Sequence, residues 1–160
     1  MRPIARRVLA SFAVLGLLSI VAPLLAQNDP AVGVWKLNSA KSSYDPGPVP
    51  STGTTTITAV GPAIKISGRG VDAAGKPTLT EYTGAFDGKD TVVVGSPAFD
   101  SMSMKRIDAN TTEVTRKKAG KVVQTARRVI SQDGKTMTLT TIGTDGQGRK
   151  INNVTVYEKQ

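Results

Sequence analysis

The stretch Gly33-Val34-Trp35-Lys36-Leu37-Asn38 begins the first strand of the chain and contains its only tryptophan. Side chains alternate between the two faces of a β-strand, so Gly33, Trp35 and Leu37 share one face. An indole is too large and too apolar to be left in water when a core is within reach. We therefore expect this face to point inward, with the strands that follow closing a sheet over Trp35.

The residues upstream of this strand have the layout of an export signal. A basic segment at 1–7 precedes an apolar run from Val8 to Leu25, and Ala26 stands just before polar residues. This order is typical of a secretory signal peptide that is removed after Ala26. An apolar run of this length can also act as an uncleaved anchor. We predict cleavage, which leaves a domain at 27–160 that is periplasmic or secreted and has no membrane span.

The composition excludes several classes of enzyme. The chain contains no cysteine and no histidine. It therefore lacks the usual general base, the thiol nucleophile and the common zinc ligands. The aspartates stand in turns, and none belongs to the acidic series of a calcium loop. We predict no metal, no cofactor and no catalytic residue.

The charge of the mature chain gives no sign of a nucleic-acid partner. Loss of the leader removes Arg2, Arg6 and Arg7, which leaves 18 basic residues against 12 acidic ones and a net charge of +6. These charges are scattered, and the few aromatic residues do not alternate with them to form a stacking platform. Diffuse positive charge favours solubility and weak attraction to anionic surfaces. Nucleic acid is therefore not expected as a specific partner.

Short segments rich in threonine and isoleucine follow the first strand and are separated by turns. Asp87-Gly88 and Asp133-Gly134 are strong hairpin signals because glycine tolerates the positive φ of a tight turn. No segment has the period of a helix longer than one turn. The pattern predicts ten strands: Ala31–Asn38, Thr54–Val60, Ile64–Val71, Leu79–Phe86, Thr91–Val94, Asp100–Ile107, Thr112–Lys117, Val122–Ile130, Thr136–Ile142 and Ile151–Tyr157.

A meander of this length has two edge strands, and closing the sheet removes both of them. We predict an all-β fold in which an antiparallel up-and-down meander closes into a barrel of about 8–10 strands. A two-sheet sandwich is the main alternative. One helical turn is expected at Ser39–Tyr44 with Asn38 as its N-cap, because the segment lacks alternation. The three prolines between Asp45 and Pro50 predict an irregular crossover.

The parity of the strands selects candidate residues for the interior. An apolar and aromatic lining with one arginine suits an amphipathic ligand, because arginine can bind a carboxylate through two hydrogen bonds. The alternative is a filled core in which Arg106 faces solvent at a strand end. The candidate ligand-binding residues are Tyr82, Phe86, Met102, Met104, Arg106 and Met137.

Gly33-x-Trp35 at the start of a first strand, followed by a meander, resembles the lipocalin and fatty-acid-binding-protein (calycin) superfamily. The stretch from Gly33-x-Trp35-Lys-Leu-Asn-x-Ala-Lys-Ser to Val156-Tyr157-Glu158-Lys159 is also similar to small, exported, uncharacterised bacterial proteins described as lipocalin-like. The resemblance implies that Gly33 and Trp35 close one end of the barrel, and that a late-strand arginine packs across the indole. Arg127 or Arg128 would be that arginine. These two neighbours lie on opposite faces of their strand, so one of them points inward or lies at a rim.

Three functions are compatible with these features. The leading hypothesis is non-catalytic binding of a small apolar or amphipathic ligand inside the barrel. The second is an interaction module of the cell envelope that binds a protein or an anionic polymer through its basic outer face. The third is an enzyme, which would need Tyr82 or Tyr157 within hydrogen-bond reach of a buried acid.

Overall fold

A computed structural model describes residues 29–160, so the predicted export signal and its cleavage site after Ala26 lie outside the described residues. None of the helices in this range is long and apolar enough to cross a membrane. The strands are β1 (Gly33–Leu37), β2 (Ser43–Asp45), β3 (Thr52–Val60), β4 (Ala63–Val71), β5 (Pro77–Ala85), β6 (Thr91–Val92), β7 (Ser101–Arg106), β8 (Thr111–Lys118), β9 (Lys121–Ile130), β10 (Thr136–Thr144) and β11 (Lys150–Lys159).

Ten of these strands run round a barrel in the order β5-β4-β3-β1-β11-β10-β9-β8-β7-β6. Each neighbouring pair is antiparallel. The two ends of this order meet where Glu81 of β5 and Val94, just after β6, exchange two backbone hydrogen bonds of 2.9 Å each. The predicted fold class, an antiparallel meander closing into a barrel, is therefore confirmed.

The segment after β1 differs in part from the prediction. The predicted helical turn forms as a 3-10 turn at Ser39–Lys41, and the Asn38 side chain caps it by accepting from the Lys41 amide at 3.0 Å. The next residues, Ser43–Asp45, form β2 instead of continuing the turn. β1 pairs with β11 only at residues 157–159, and β2 pairs with β11 at residues 152–154. The extra strand thus satisfies backbone groups that β1 is too short to reach.

Apolar side chains fill one end of the barrel, which we call the plugged end. Trp35 is fully buried there, and its Nε1 donates to the carbonyl oxygen of Ala31 at 2.7 Å. The Nζ atom of Lys159 lies over the indole, 5.0 Å from the ring centroid. The buried apolar residues packed in this core include Ile57, Ile64, Met102, Met104 and Ile130.

Residues 29–31 close the plugged end of the barrel. Asp29 is buried, and its Oδ1 accepts from the Ala31 amide at 2.8 Å. Its Oδ2 forms an ion pair with Arg106, whose guanidinium stacks on the Phe86 ring at 3.7 Å from the centroid. The charges at this end are therefore paired within the protein.

Candidate functional site

A cavity of about 230 Å³ occupies the interior of the barrel away from the plugged end. A wider vestibule of about 730 Å³ lies next to it and is bordered by the segments 46–48, 72–74 and 145–149. Both spaces have four wall residues in common: Tyr44, Arg116, Leu139 and Tyr157. We call this end of the barrel the open end.

The wall of the cavity is amphipathic. Three tyrosines and three arginines line it. Arg69 is exposed and forms an ion pair with Glu81, whereas Arg116 and Arg128 form no ion pair with a carboxylate of residues 29–160. An apolar lining with a few placed polar groups is the usual make-up of a small-molecule site. The apolar side chains of the wall are Leu37, Pro50, Ile57, Ile66, Phe99, Val114, Met137 and Leu139.

Two glycines of β4 leave part of this wall without side chains. At Gly70 a Cβ atom would lie 2.4 Å from the carbonyl oxygen of Thr52, so the backbone packing requires glycine. At Gly68 a Cβ atom would make only ordinary contacts, 3.8 Å from Thr55 and Thr80. Glycine at position 68 therefore adds room to the cavity without being needed for the close approach of neighbouring strands.

Arg116 reaches the cavity from β8, on the same face as buried Val114. Its Nη1 donates to Oε1 of Gln124 at 2.9 Å, and its guanidinium lies over the Phe99 ring at 4.8 Å from the centroid. The amide of Gln124 is itself held in place, because its Nε2 donates to the carbonyl oxygen of Thr144 at 2.8 Å. The Nε of Arg116 is buried and has no hydrogen-bond partner among the described residues.

No carboxylate within residues 29–160 forms an ion pair with Arg116. Burial lowers the pKa of this arginine, and the three tyrosines of the wall act in the opposite direction. Gln124 and Phe99 are neutral partners, so they orient the guanidinium without cancelling its charge. Arg116 is therefore a cation held in a fixed orientation for which residues 29–160 supply no counterion.

Arg128 reaches the interior from β9 and is only 5% exposed. Its Nη2 donates to the hydroxyl of Thr112 at 3.3 Å. Burial lowers the pKa of Arg128; Asp29 acts against that shift and Arg106 adds to it. Asp29 is already ion-paired with Arg106, so no direct carboxylate partner is left for Arg128 in the described part of the chain.

The Tyr82 hydroxyl lies within electrostatic reach of both Arg116 and Arg128. Burial raises the pKa of this hydroxyl, and the positive charges of Arg128 and Arg116 both lower it. Both guanidiniums therefore act electrostatically on this hydroxyl. Because its pKa lies above the ordinary value for tyrosine, Tyr82 is protonated at neutral pH and can donate a hydrogen bond.

Two of the six predicted ligand-binding residues lie in the cavity wall, namely Tyr82 and Met137. Met102 and Met104 face the interior as predicted, but they are almost fully buried in the apolar core. Ligand contact by any of these residues stays a prediction.

The other two predicted residues, Phe86 and Arg106, lie at the plugged end beside Asp29. Arg106 shares a face with the two methionines of β7, and the strand carries it toward the plugged end, where its charge meets Asp29. The alternation of side chains along β7 thus identified the face on which Arg106 lies, but it gave no information on the position of that residue along the barrel axis.

The four residues expected to close the barrel lie in three different places in the structure. Gly33 and Trp35 both lie against Lys159, and a Cβ atom at Gly33 would come within 2.6 Å of its Cε. The cation over the indole face is thus a lysine. Arg127 is exposed on the outside of β9, and its neighbour Arg128 points inward and lines the cavity.

Sequence reasoning missed Arg116, Phe99 and Tyr44. Arg116 could have been found, because it shares the parity of Val114 within a correctly predicted strand. Tyr44 and Phe99 lie outside the predicted strands, and tertiary packing brings them to the wall. The Tyr44 hydroxyl, for example, lies 2.9 Å from that of Thr155 on β11.

The enzyme hypothesis required a tyrosine paired with a buried acid. Burial raises the pKa of the Tyr157 hydroxyl, and the positive charge of Arg116 acts against that shift. Among residues 29–160, neither Tyr82 nor Tyr157 forms a hydrogen bond to a carboxylate. The described residues therefore contain no tyrosine–carboxylate pair of the kind that proton transfer would need.

No protein-family model matches the chain, and no curated protein matches it significantly. A solved structure described as EF1p2_mFAP2b bound to DFHBI is similar, with a TM-score of 0.48 and 9% sequence identity. The match covers 86% of this chain and 99% of that one.

Proposed function

We propose that this protein is an exported, lipocalin-like barrel that binds a small amphipathic molecule carrying an anionic group. One observation carries the proposal: two inward-facing arginines, Arg116 and Arg128, have no ionic partner in residues 29–160 and border a largely apolar cavity. The bound molecule would supply the missing negative charge.

The energetics of buried charge support this proposal. A guanidinium removed from water without a counterion costs several kcal/mol, and charge-assisted bonds to a carboxylate offset much of that cost. The side chains of Ile57, Ile66 and Val114 would cover the apolar part of the same ligand. Burial of apolar surface contributes roughly 25 cal/mol per Å². One wall therefore serves both halves of an amphipathic molecule.

The cavity volume limits how much of a ligand the barrel can enclose. A volume of about 230 Å³ exceeds the void of roughly 150 Å³ that holds benzene in another protein. It is below the range of about 300–1,000 Å³ that is typical of small-molecule sites. We infer that one ring or a short chain fits inside and that longer ligands extend into the vestibule.

This space also favours ligand binding over an envelope-interaction module. A module that used only its outer face would have no need for an open interior lined with arginine and tyrosine. Glycine at position 68 points the same way, because a larger residue there would fill the space.

A displacement assay tests the proposal on the full mature chain. An anionic naphthalenesulfonate dye serves as the probe, and octanoate competes with it. Octanoate has one carboxylate, so we expect the variant that removes the arginine paired with it, Arg116→Met or Arg128→Met, to weaken octanoate binding about tenfold or more, since a hydrogen bond to a charged group contributes roughly 1.5–3 kcal/mol.

Arg127→Met is the matched control, because it removes the same charge from the outer face of the same strand. Its affinity should equal that of the unchanged protein. Native mass spectrometry of the purified protein provides an independent check for a bound small molecule. Failure of both dye and octanoate to bind, or equal losses in all three variants, would remove the support for this function.

We also propose that the protein acts outside the cytoplasm, on the basis of the leader at 1–26. The test is the mass of the mature protein recovered from the periplasmic fraction of a bacterial host. We expect a chain that begins at Gln27. A chain that keeps its leader and sediments with the membranes would contradict export in soluble form.

A further inference from the structure

The two unpaired arginines lie at different depths of the cavity. On the paired strands β8 and β9, Arg116 stands opposite Gln124, and Arg128 stands opposite Thr112. Four residues of strand therefore separate the two levels, which corresponds to about 13 Å along the barrel wall. The two arginine side chains therefore start from two different levels of the barrel wall.

Their surroundings confirm this separation. Arg116 lines both the cavity and the vestibule, and Arg128 lines the cavity alone. The charges that shift the pKa of Arg128 include those of Asp29 and Arg106, which lie at the plugged end. The side chains that shift the pKa of Arg116 include Tyr44, which lies at the open end. One arginine is thus superficial and the other deep.

The wall between the two levels is apolar. Val114 and Ala126 face each other across β8 and β9 midway between the arginines, and both are buried. Val114 lines the cavity directly. A ligand that reached both arginines would therefore have to pass an apolar waist, with the Tyr82 hydroxyl as a further donor within electrostatic reach of both ends.

We propose that the site takes an elongated molecule with an anionic group at each end and an apolar middle, of which a straight-chain α,ω-dicarboxylate is the simplest example. This inference rests on the proposed function and specifies its ligand class. The superficial carboxylate binds Arg116, which Gln124 and Phe99 hold in place, and the deep carboxylate binds Arg128 beside Thr112. A monocarboxylate of the same length leaves one arginine unpaired.

Calorimetric titration of the full mature chain with matched acids tests the inference. Straight-chain monocarboxylates and dicarboxylates of about six to about twelve carbons are compared at each length, which brackets the separation set by the strand rise. We expect the best dicarboxylate to bind about tenfold or more tightly than the monocarboxylate of equal length. We also expect a clear optimum in length.

Variants assign the two ends. Arg128→Met and Arg116→Met should each abolish the advantage of the dicarboxylate, and Arg127→Met should preserve it. Gln124→Glu gives a second test at the mouth, because its carboxylate would pair with Arg116 and compete with that end of the ligand. Arg128→Lys gives a second test at the deep end if the methionine variant fails to fold.

The outcomes separate the two proposals. Monocarboxylates that bind as tightly as dicarboxylates at every length would overturn the two-ended ligand and leave the proposed function intact. If no carboxylate of either kind binds, the two-ended ligand is overturned, and the proposed function is overturned with it when the anionic dye also fails to bind. A dicarboxylate advantage that survives both arginine-to-methionine variants would also overturn the inference.

Discussion

The two ends of this barrel use similar residues for different purposes. At the plugged end Arg106 stacks on Phe86 and pairs with Asp29. At the open end Arg116 stacks on Phe99 in much the same way, but its hydrogen-bond partner is the neutral amide of Gln124. The difference lies in the counterion and not in the residue types. Arg106 belongs to the plugged end because the protein itself supplies its carboxylate, Asp29.

The contrast extends to the space around each arginine. Near Arg106 the first described residues fold across the barrel and Trp35 fills its interior. Near Arg116 a cavity of about 230 Å³ remains. A buried cation next to empty space is costly for stability, and such costs in a fold are most common at binding sites.

The largest expected effect comes from emptying the plugged end. Trp35→Ala should lower the free energy of unfolding by about 3–5 kcal/mol, because loss of the fully buried indole leaves a cavity that the surrounding strands cannot close. Urea denaturation measures the change. An unchanged midpoint would show that the indole does not stabilise the core.

A smaller loss is expected when the plug loses its ion pair. Arg106→Met leaves the buried carboxylate of Asp29 without a cation, and because Arg106 is partly exposed we expect a loss of roughly 2–3 kcal/mol. The double variant Asp29→Asn/Arg106→Met should recover part of it, as a double-mutant cycle would measure. Additive losses would contradict a plug held by this pair.

At the open end, filling the cavity should affect binding more than folding. Gly68→Leu places a side chain in the cavity and should weaken binding of the anionic dye about tenfold or more. We expect the stability to change by less than about 1 kcal/mol, because a Cβ atom meets no close neighbour there. Lys65→Leu, on the exposed face of the same strand, is the control. Equal losses in both variants would contradict an interior site.

The smallest effects concern the surface turns, which should behave alike at both ends. Hydrogen bonds from the Ser131 hydroxyl and the Lys135 amide hold the pKa of Asp133, in the β9–β10 turn, below its usual range. At the β10–β11 turn, burial opposes the shift, but bonds from the amide and side chain of Arg149 prevail and lower the pKa of Asp145.

A carboxyl group whose pKa is lower in the folded chain stabilises the fold above its unfolded value of about 3.9. That contribution is lost as the pH falls through the lowered pKa. We therefore expect the melting temperature to fall below about pH 4, and to fall less steeply in both Asp133→Asn and Asp145→Asn. Thermal melts between neutral and acidic pH provide the measurement. A change in slope for only one turn would show that the two ends differ at the surface as well as in the interior.

Much of the fold could be predicted from the sequence, because its determinants are local. Threonine- and isoleucine-rich runs separated by turns such as Asp133-Gly134 fix strands and hairpins over a few residues. β2 could not be predicted in this way. It forms because β11 extends beyond the reach of β1, which is a property of two strands far apart in sequence.

The site was less predictable, because parity determines a face and not a depth. Arg106 and Arg128 both point inward, yet only Arg128 lines the cavity. The position of Asp29 decides the role of Arg106, and no strand pattern includes Asp29. The alternation of side chains along β8 could have identified Arg116 as inward-facing. Its lack of an ion pair could not be predicted, because it depends on which carboxylates of residues 29–160 approach it in three dimensions.

The most direct test of an anion-binding interior is a crystal structure of the protein grown with octanoate. We expect a carboxylate in the cavity whose oxygens lie about 2.7–2.9 Å from the guanidinium nitrogens of Arg116 or Arg128, with the alkyl chain against Val114. An interior filled by protein side chains, with both arginines bound to protein carboxylates, would contradict it.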